Sequence, residues 1–188
     1  MPSQTPGSAA GSDPEADPAR SPEAPRGSGI PSQAPEGYVC PFCGLVAGDC
    51  SDPGNRCELE DVVYQDEDLV VLIACDGFGD HEGHAMIIPA QHYENLYEMP
   101  DRVLQRTALM ARQVALAIKR AWNSEGTSTR QHNEKAGNQH VWHYHLHVFP
   151  RYSGDMLYRQ LRHAVDPAVR AVKAKELAAA LDVGPTRL

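Results

Sequence analysis

The chain has 188 residues, a formal net charge of −8 and 22% charged side chains. That acidic balance excludes a partner held through a basic surface, nucleic acid above all. No apolar run approaches the roughly eighteen residues needed to cross a bilayer, and no basic n-region with an apolar h-region opens the chain. No membrane partner or export is therefore expected. Five cysteines, an odd number, then fit a reducing cytoplasm and thiol or metal chemistry better than a disulfide framework.

Residues 1–36 are Pro, Gly, Ser and Ala with scattered charge. Such a segment buries too little apolar surface to offset its ordering entropy, which predicts a disordered tail. A folded domain is expected over residues 37–182. It opens with Cys40-Pro41-Phe42-Cys43, whose C-x-x-C spacing lets two thiolates meet one tetrahedral metal, although redox pairs and packed thiols use it too. Residues 49–60 are rich in breakers and read as a surface loop, with Cys50 and Cys57 either stray thiols or a second metal pair. Val62–Tyr64 and Leu69–Ala74 flank the polar run Gln65-Asp66-Glu67-Asp68 and predict a hairpin.

A third strand is expected over His84–Ile88, ended by Pro89. From Asp101 to Trp122 the residues Val103, Thr107, Met110, Val114, Ile118 and Ala121 recur at steps of three and four. They predict one face of an amphipathic helix, with Pro100 and Asp101 as start signals. A strand over Thr127–Asn133 follows, then a loop over 134–139. Val141 to Phe149 alternates without a break, the period of a strand. Trp142, Tyr144, Leu146 and Val148 share one face and His143, His145 and His147 the other, at roughly 6.7 Å intervals. Packing alone gives no reason for three imidazoles there, since each needs partners for its ring nitrogens. A phosphate site or a tri-His metal centre does. Asp166 as N-cap and Pro167 at the first position predict a last helix to Leu181.

The run Gly137-Asn138-Gln139-His140-Val141-Trp142-His143-Tyr144-His145-Leu146-His147-Val148 resembles the signature of the histidine-triad (HIT) family. Cys40-x-x-Cys43 and Gly83-His84-Ala85-Met86-Ile87-Ile88-Pro89-Ala90-Gln91-His92 resemble that family's earlier segments, in the same order. The resemblance implies an α+β fold: about five antiparallel strands in a sheet, one long amphipathic helix and a C-terminal helix. It implies a nucleotide hydrolase or transferase with His145 as the nucleophile attacking an α-phosphate. His147 and His84 would bond phosphate oxygens, and His143 would steady His145 through its backbone carbonyl.

The resemblance further implies Asp76 on the ribose, and Asn133, Asn138, Gln139 and His140 around the phosphate. His132 stands where the family often has Asn, and His140 where some members have Ser. A structural zinc on Cys40, Cys43, His92 and His143 is implied, with no cofactor needed for catalysis. The implied ligand is a purine nucleotide or adenylated small molecule, and the implied assembly a homodimer. Phosphoramidate or adenylate hydrolysis, dinucleoside polyphosphate cleavage, and a nucleotide-binding module with incidental activity all share these residues.

Overall fold

The computed structural model describes residues 29–79 and 81–183. Most of the expected tail, residues 1–28, lies outside them. Residues 29–36 form no helix or strand, yet contact with the domain begins there. The Ser32 hydroxyl donates to Glu94, and the Gln33 N–H donates to Glu94 Oε1 at 2.8 Å.

A short helix, α1 (Pro41–Val46), starts the regular structure, with Pro41 in its first turn and Phe42 and Leu45 buried. The hairpin follows as β1 (Val62–Gln65) and β2 (Leu69–Ile73), paired antiparallel. Its turn is fixed by Asp66, whose Oδ1 accepts the N–H groups of Asp68 and Leu69 at 2.9 and 2.8 Å. Next come β3 (Asp76–Phe78), β4 (Ala85–Pro89) and the long helix α2 (Asp101–Trp122). Then β5 (Gly126–Gln131), β6 (Leu146–Arg151), β7 (Arg162–Ala164) and helix α3 (Pro167–Ala180) complete the chain. The main sheet has five strands in the order β1-β2-β4-β6-β5, every neighbour antiparallel. The fold is α+β, as the resemblance implied.

The continuous apolar sequences of β2 and β4 have a direct cause: both strands are buried on both faces. Leu69, Val71, Ile73, Ala85 and Ile87 pack with the stripe of α2, while Val70, Leu72, Met86 and Ile88 pack with Phe42 and Leu45 of α1. The α2 stripe is Val103, Thr107, Met110, Val114, Ala117 and Ile118, so Ala117 takes the place expected of Ala121. That helix ends at Asn123, which turns left-handed at φ 49°. Asp166 caps α3 by accepting from the Ala168 N–H at 2.8 Å.

One expectation is corrected. The triad segment is not one nine-residue strand, because regular pairing begins only at Leu146 and continues through Pro150 to Arg151. Residues 141–145 leave the ladder, and the Tyr144 N–H donates instead to the Tyr93 carbonyl at 2.6 Å. The three-residue strands β3 and β7 pair in a separate small sheet; each is too short to carry a period. On α3 Val172 is exposed. The helix's inward residues are Arg170, Ala174 and Leu177.

Arg170 ties α3 to the sheet. It is 4% exposed and donates to Asp61, itself 1% exposed, at 2.8 Å, and to the Val165 carbonyl at 2.9 Å. Removing one partner of such a buried pair strands the other charge, at a cost of about 3–5 kcal/mol. Arg170→Leu should therefore lose about that much in urea unfolding, and Asp61→Leu/Arg170→Leu should recover part of it.

Candidate active site

On the face of the sheet away from α2 lies a cavity of about 450 Å³, walled by α1, the triad and the β3–β7 ribbon. His145 and His147 line it, their ring centroids 4.9 Å apart. The Nδ1–H of His145 donates to the His143 carbonyl at 2.7 Å, and this tautomer leaves Nε2 as a lone pair. That carbonyl is available because residues 141–145 have left the strand ladder.

His147 sits on β6 opposite Met86 of β4 and Arg130 of β5. Its Nδ1 is 2.8 Å from Nε2 of His84, just ahead of β4. The His84 ring also stacks on Phe149 with centroids 3.9 Å apart. The Nε2 expected to bond phosphate is thus engaged with His147, so His84 supports its neighbour.

Burial keeps these imidazoles neutral. Desolvation, with Arg130 adding to it, pushes His84 down to about 3. Desolvation and the charge of His84 hold His147 well below its usual range. His145 falls to about 4, again chiefly by burial, although its bond to the His143 carbonyl works the other way.

His143 does not join that row. Fully buried, it hydrogen-bonds through Nε2–H to the Pro89 carbonyl at 3.0 Å and turns Nδ1 to Cys40 Sγ at 3.4 Å and Cys43 Sγ at 3.7 Å. A tri-His metal centre is excluded by this divergence. Cys43 Sγ also lies 3.2 Å from Nδ1 of His92, and the four potential ligand atoms of Cys40, Cys43, His92 and His143 all fall within 4.8 Å of one another.

The donor set fits a tetrahedral Cys₂His₂ ion. Pro89 fixes the His143 tautomer with Nδ1 free, as outer partners of metal-binding histidines do. Burial works to raise the Cys40 thiol, but hydrogen bonds from His143 and His92 outweigh it and bring Cys40 down to about 5. Cys43 is pushed up to about 12 by burial and by the Cys40 thiolate. A second thiolate beside that of Cys40 would call for a cation between them.

Of the residues expected around the substrate, Asp76, Asn138 and His140 line the cavity, whereas Asn133 and Gln139 do not. Asn133 Oδ1 accepts from the Leu96 N–H and from Gln131 Nε2, both at 2.9 Å. Gln139 Nε2 donates to the Glu94 and Val141 carbonyls at 2.6 and 2.9 Å, and its Oε1 accepts from the Glu134 N–H. Both side chains are used in holding the loop, which also needs Gly137: a Cβ there would meet the Asn133 carbonyl oxygen at 2.0 Å. Asp76 lies 2.6 Å from Nη2 of Arg56 and 3.8 Å from Arg162.

Sequence reading missed Phe42, Arg56, Arg130 and Arg162, all on the cavity wall, and gave His132 no role beyond its place in the family pattern. Phe42 comes from α1, Arg56 from a loop, Arg162 from β7 and Arg130 from β5, where its place depends on strand register. Cys57 is not paired with Cys50 as a metal pair; its Sγ faces Cys75 Sγ at 3.7 Å.

This sheet order and this imidazole row define a class of α+β protein that comparison identifies. The HIT domain model matches residues 56–154. The chain belongs to the HIT family. It is 33% identical over 113 residues to Protein hit of Bacillus subtilis, covering 60% of this chain and 71% of that one. It is 27% identical over 119 residues to the adenylylsulfatase HINT3 of Arabidopsis thaliana, covering 63% of this chain and 55% of that one. Among solved structures, a Zn-bound histidine triad family protein from Mycobacterium smegmatis is 29% identical. It matches with a TM-score of 0.62 over 76% of this chain and 92% of its own. A hypothetical histidine triad nucleotide-binding protein from Sulfolobus tokodaii, 21% identical with TM-score 0.63 over 79% of this chain and 99% of its own, shares the fold. Among the described residues no helix is long and apolar enough to cross a membrane.

The low values of His84 and His147 have a testable sign. The unfolded imidazoles protonate near 6.5 and the folded ones only far lower, so the unfolded state binds more protons as pH falls through that window. Their contribution to stability is complete above about 6.5 and is lost on acidification toward the folded values. In NMR titrations the ring signals of His84 and His147 should stay at neutral positions at pH 5, and His84→Gln should flatten the acid side of the stability curve.

Proposed function

We propose that this protein is a nucleotide hydrolase or transferase acting at the α-phosphate of a nucleoside 5′-phosphoramidate or adenylated compound, through a nucleotidyl-histidine intermediate on His145. The observation that carries the reading is the 2.7 Å bond from His145 Nδ1–H to the His143 carbonyl, which leaves Nε2 as the nucleophile. The adenylylsulfatase of Arabidopsis thaliana supports the substrate class.

In the first step the Nε2 lone pair forms a P–N bond and the bond from phosphorus to the leaving group breaks with its electron pair on the leaving atom; an anhydride group departs as the anion, whereas an amine departs with a proton taken from solvent, which the second step returns. With the Nε2–H of His84 donating to His147 Nδ1, 2.8 Å away, His147 would keep Nε2–H for a phosphate oxygen. The side chains of Asn138 and His140 and the N–H groups of Gly137 and His140 add donors in place before charge develops, the N–H groups of Asn138 and Gln139 being taken by the Lys135 and Glu134 carbonyls. Asp76 accepts the ribose hydroxyls after exchange with Arg56. Water then cleaves the P–N bond, giving the nucleoside monophosphate and a proton and restoring His145. No step needs a metal.

Zinc on Cys40, Cys43, His92 and His143 has a structural role in this reading. Held by such an ion as well as by Pro89, His143 would keep its carbonyl fixed where it orients His145. The zinc-bound relative from Mycobacterium smegmatis supports it.

Adenosine 5′-phosphoramidate should yield adenosine monophosphate with the wild-type protein, and His145→Ala should abolish release, a loss of about 10⁴-fold or more. Preferential cleavage of diadenosine tetraphosphate, still dependent on His145, would move the protein to the dinucleotide branch. Nucleotide binding without turnover would leave only a binding module. Elemental analysis should find about one zinc per chain, lost in Cys43→Ser together with several degrees of melting temperature.

A further inference from the structure

Three arginines line the cavity, and two of them, Arg56 and Arg162, face the Asp76 carboxylate. Arg130 differs. It has no carboxylate or hydrogen-bond partner among the described residues; its guanidinium carbon instead lies 5.0 Å from the ring centroids of Phe149 and Tyr158 and 5.5 Å from that of Phe78. Three rings hold a guanidinium by its faces and leave its N–H edge for something else. A half-buried cation beside two neutral imidazoles, without a counterion, is a place for an anion.

Its position says which anion. From the approach to β6 into the strand the rings run His145, His147, Phe149, with centroid steps of 4.9 and 5.7 Å, and Arg130 lies over the far end of that row. The opposite end is apolar: Phe42 packs 5.6 Å from His145, with Pro41 and Met86 nearby on the wall. A nucleoside suits the Phe42 end. An in-line displacement by His145 places the leaving group across the phosphorus from it, toward Arg130. Resting on the function proposed above, we infer that Arg130 is a specificity-determining residue that binds an anionic leaving group, the sulfate or phosphate of a mixed anhydride with a nucleoside monophosphate.

The chemistry balances without a further reactant. The P–O bond to sulfate or phosphate breaks, its electron pair leaves on that oxygen, and the anion departs unprotonated onto the Arg130 N–H groups. An ammonia or amine leaving group has no charge for Arg130 to bind.

The test compares wild type, Arg130→Gln and Arg130→Lys on adenosine 5′-phosphosulfate, diadenosine tetraphosphate and adenosine 5′-phosphoramidate, with adenosine monophosphate affinity as the control for the nucleoside end. Arg130→Gln should lower kcat/KM on the phosphosulfate or the tetraphosphate by about 10- to 100-fold, the range for a charged hydrogen bond. On the phosphoramidate it should change by less than about threefold, with monophosphate affinity retained and Arg130→Lys intermediate. Which of the two anhydrides suffers the larger loss identifies the sulfate or the phosphate as the anion read. An equal loss on all three substrates, or a loss of monophosphate affinity, would mean that Arg130 binds the α-phosphate and would overturn the inference alone. A wild-type protein that cleaves none of the three would overturn the proposed function and this inference with it.

Discussion

His143 is fully buried and engages its polar groups in three directions at once. Its Nε2–H goes to the Pro89 carbonyl, its Nδ1 to the two cysteines, and its own carbonyl accepts from His145. An unpaired polar group at that depth is expensive, so each bond constrains the others. Pro89 ends β4, Cys40 precedes α1, and His145 begins the approach to β6. One side chain thereby fixes the relation of three elements that are remote in sequence, and the nucleophile's tautomer is a consequence of that fixing.

The sheet explains why such a bond can exist. β4 pairs with β6 only from His147 back to Leu146 and on to Val148; the preceding five residues are released to meet Tyr93 and the cysteines. A strand that stayed in register through residue 143 would have spent the carbonyl on its neighbour. Irregular backbone at this point is what makes an acceptor available beside the cavity. Burial on both faces of β2 and β4 supplies the rigid floor beneath it, because close-packed interiors yield little to local strain.

Electrostatics in the cavity is uneven by construction. Carboxylates elsewhere are matched to arginines: Asp61 with Arg170, Asp155 with Arg151, Asp76 with Arg56. At the row of imidazoles no carboxylate among the described residues is set against Arg130. The positive charge there helps to keep His84 and His147 uncharged, and uncharged imidazoles can donate to a phosphate without first losing a solvent shell.

The sequence determined the elements whose period is long enough to be read. α2 was legible from steps of three and four, the β1–β2 hairpin from its polar turn between β-branched runs, the α3 start from Asp166 and Pro167. The family was legible from the His143–His145–His147 spacing together with two earlier segments. Only the tertiary structure decided where those residues point. Alternation put three imidazoles on one face, but a backbone that leaves the ladder at residues 141–145 sends His143 to the cysteines. Asn133 and Gln139 read as ligand donors, and the loop consumes both. Arg130 carried no signal of its own because its role depends on register: it faces His147 only through the β5–β6 pairing. Local pattern fixes which surface of an element is apolar; the partner each polar group finds is set by chain segments far away in sequence, and that is physical information a single stretch does not contain.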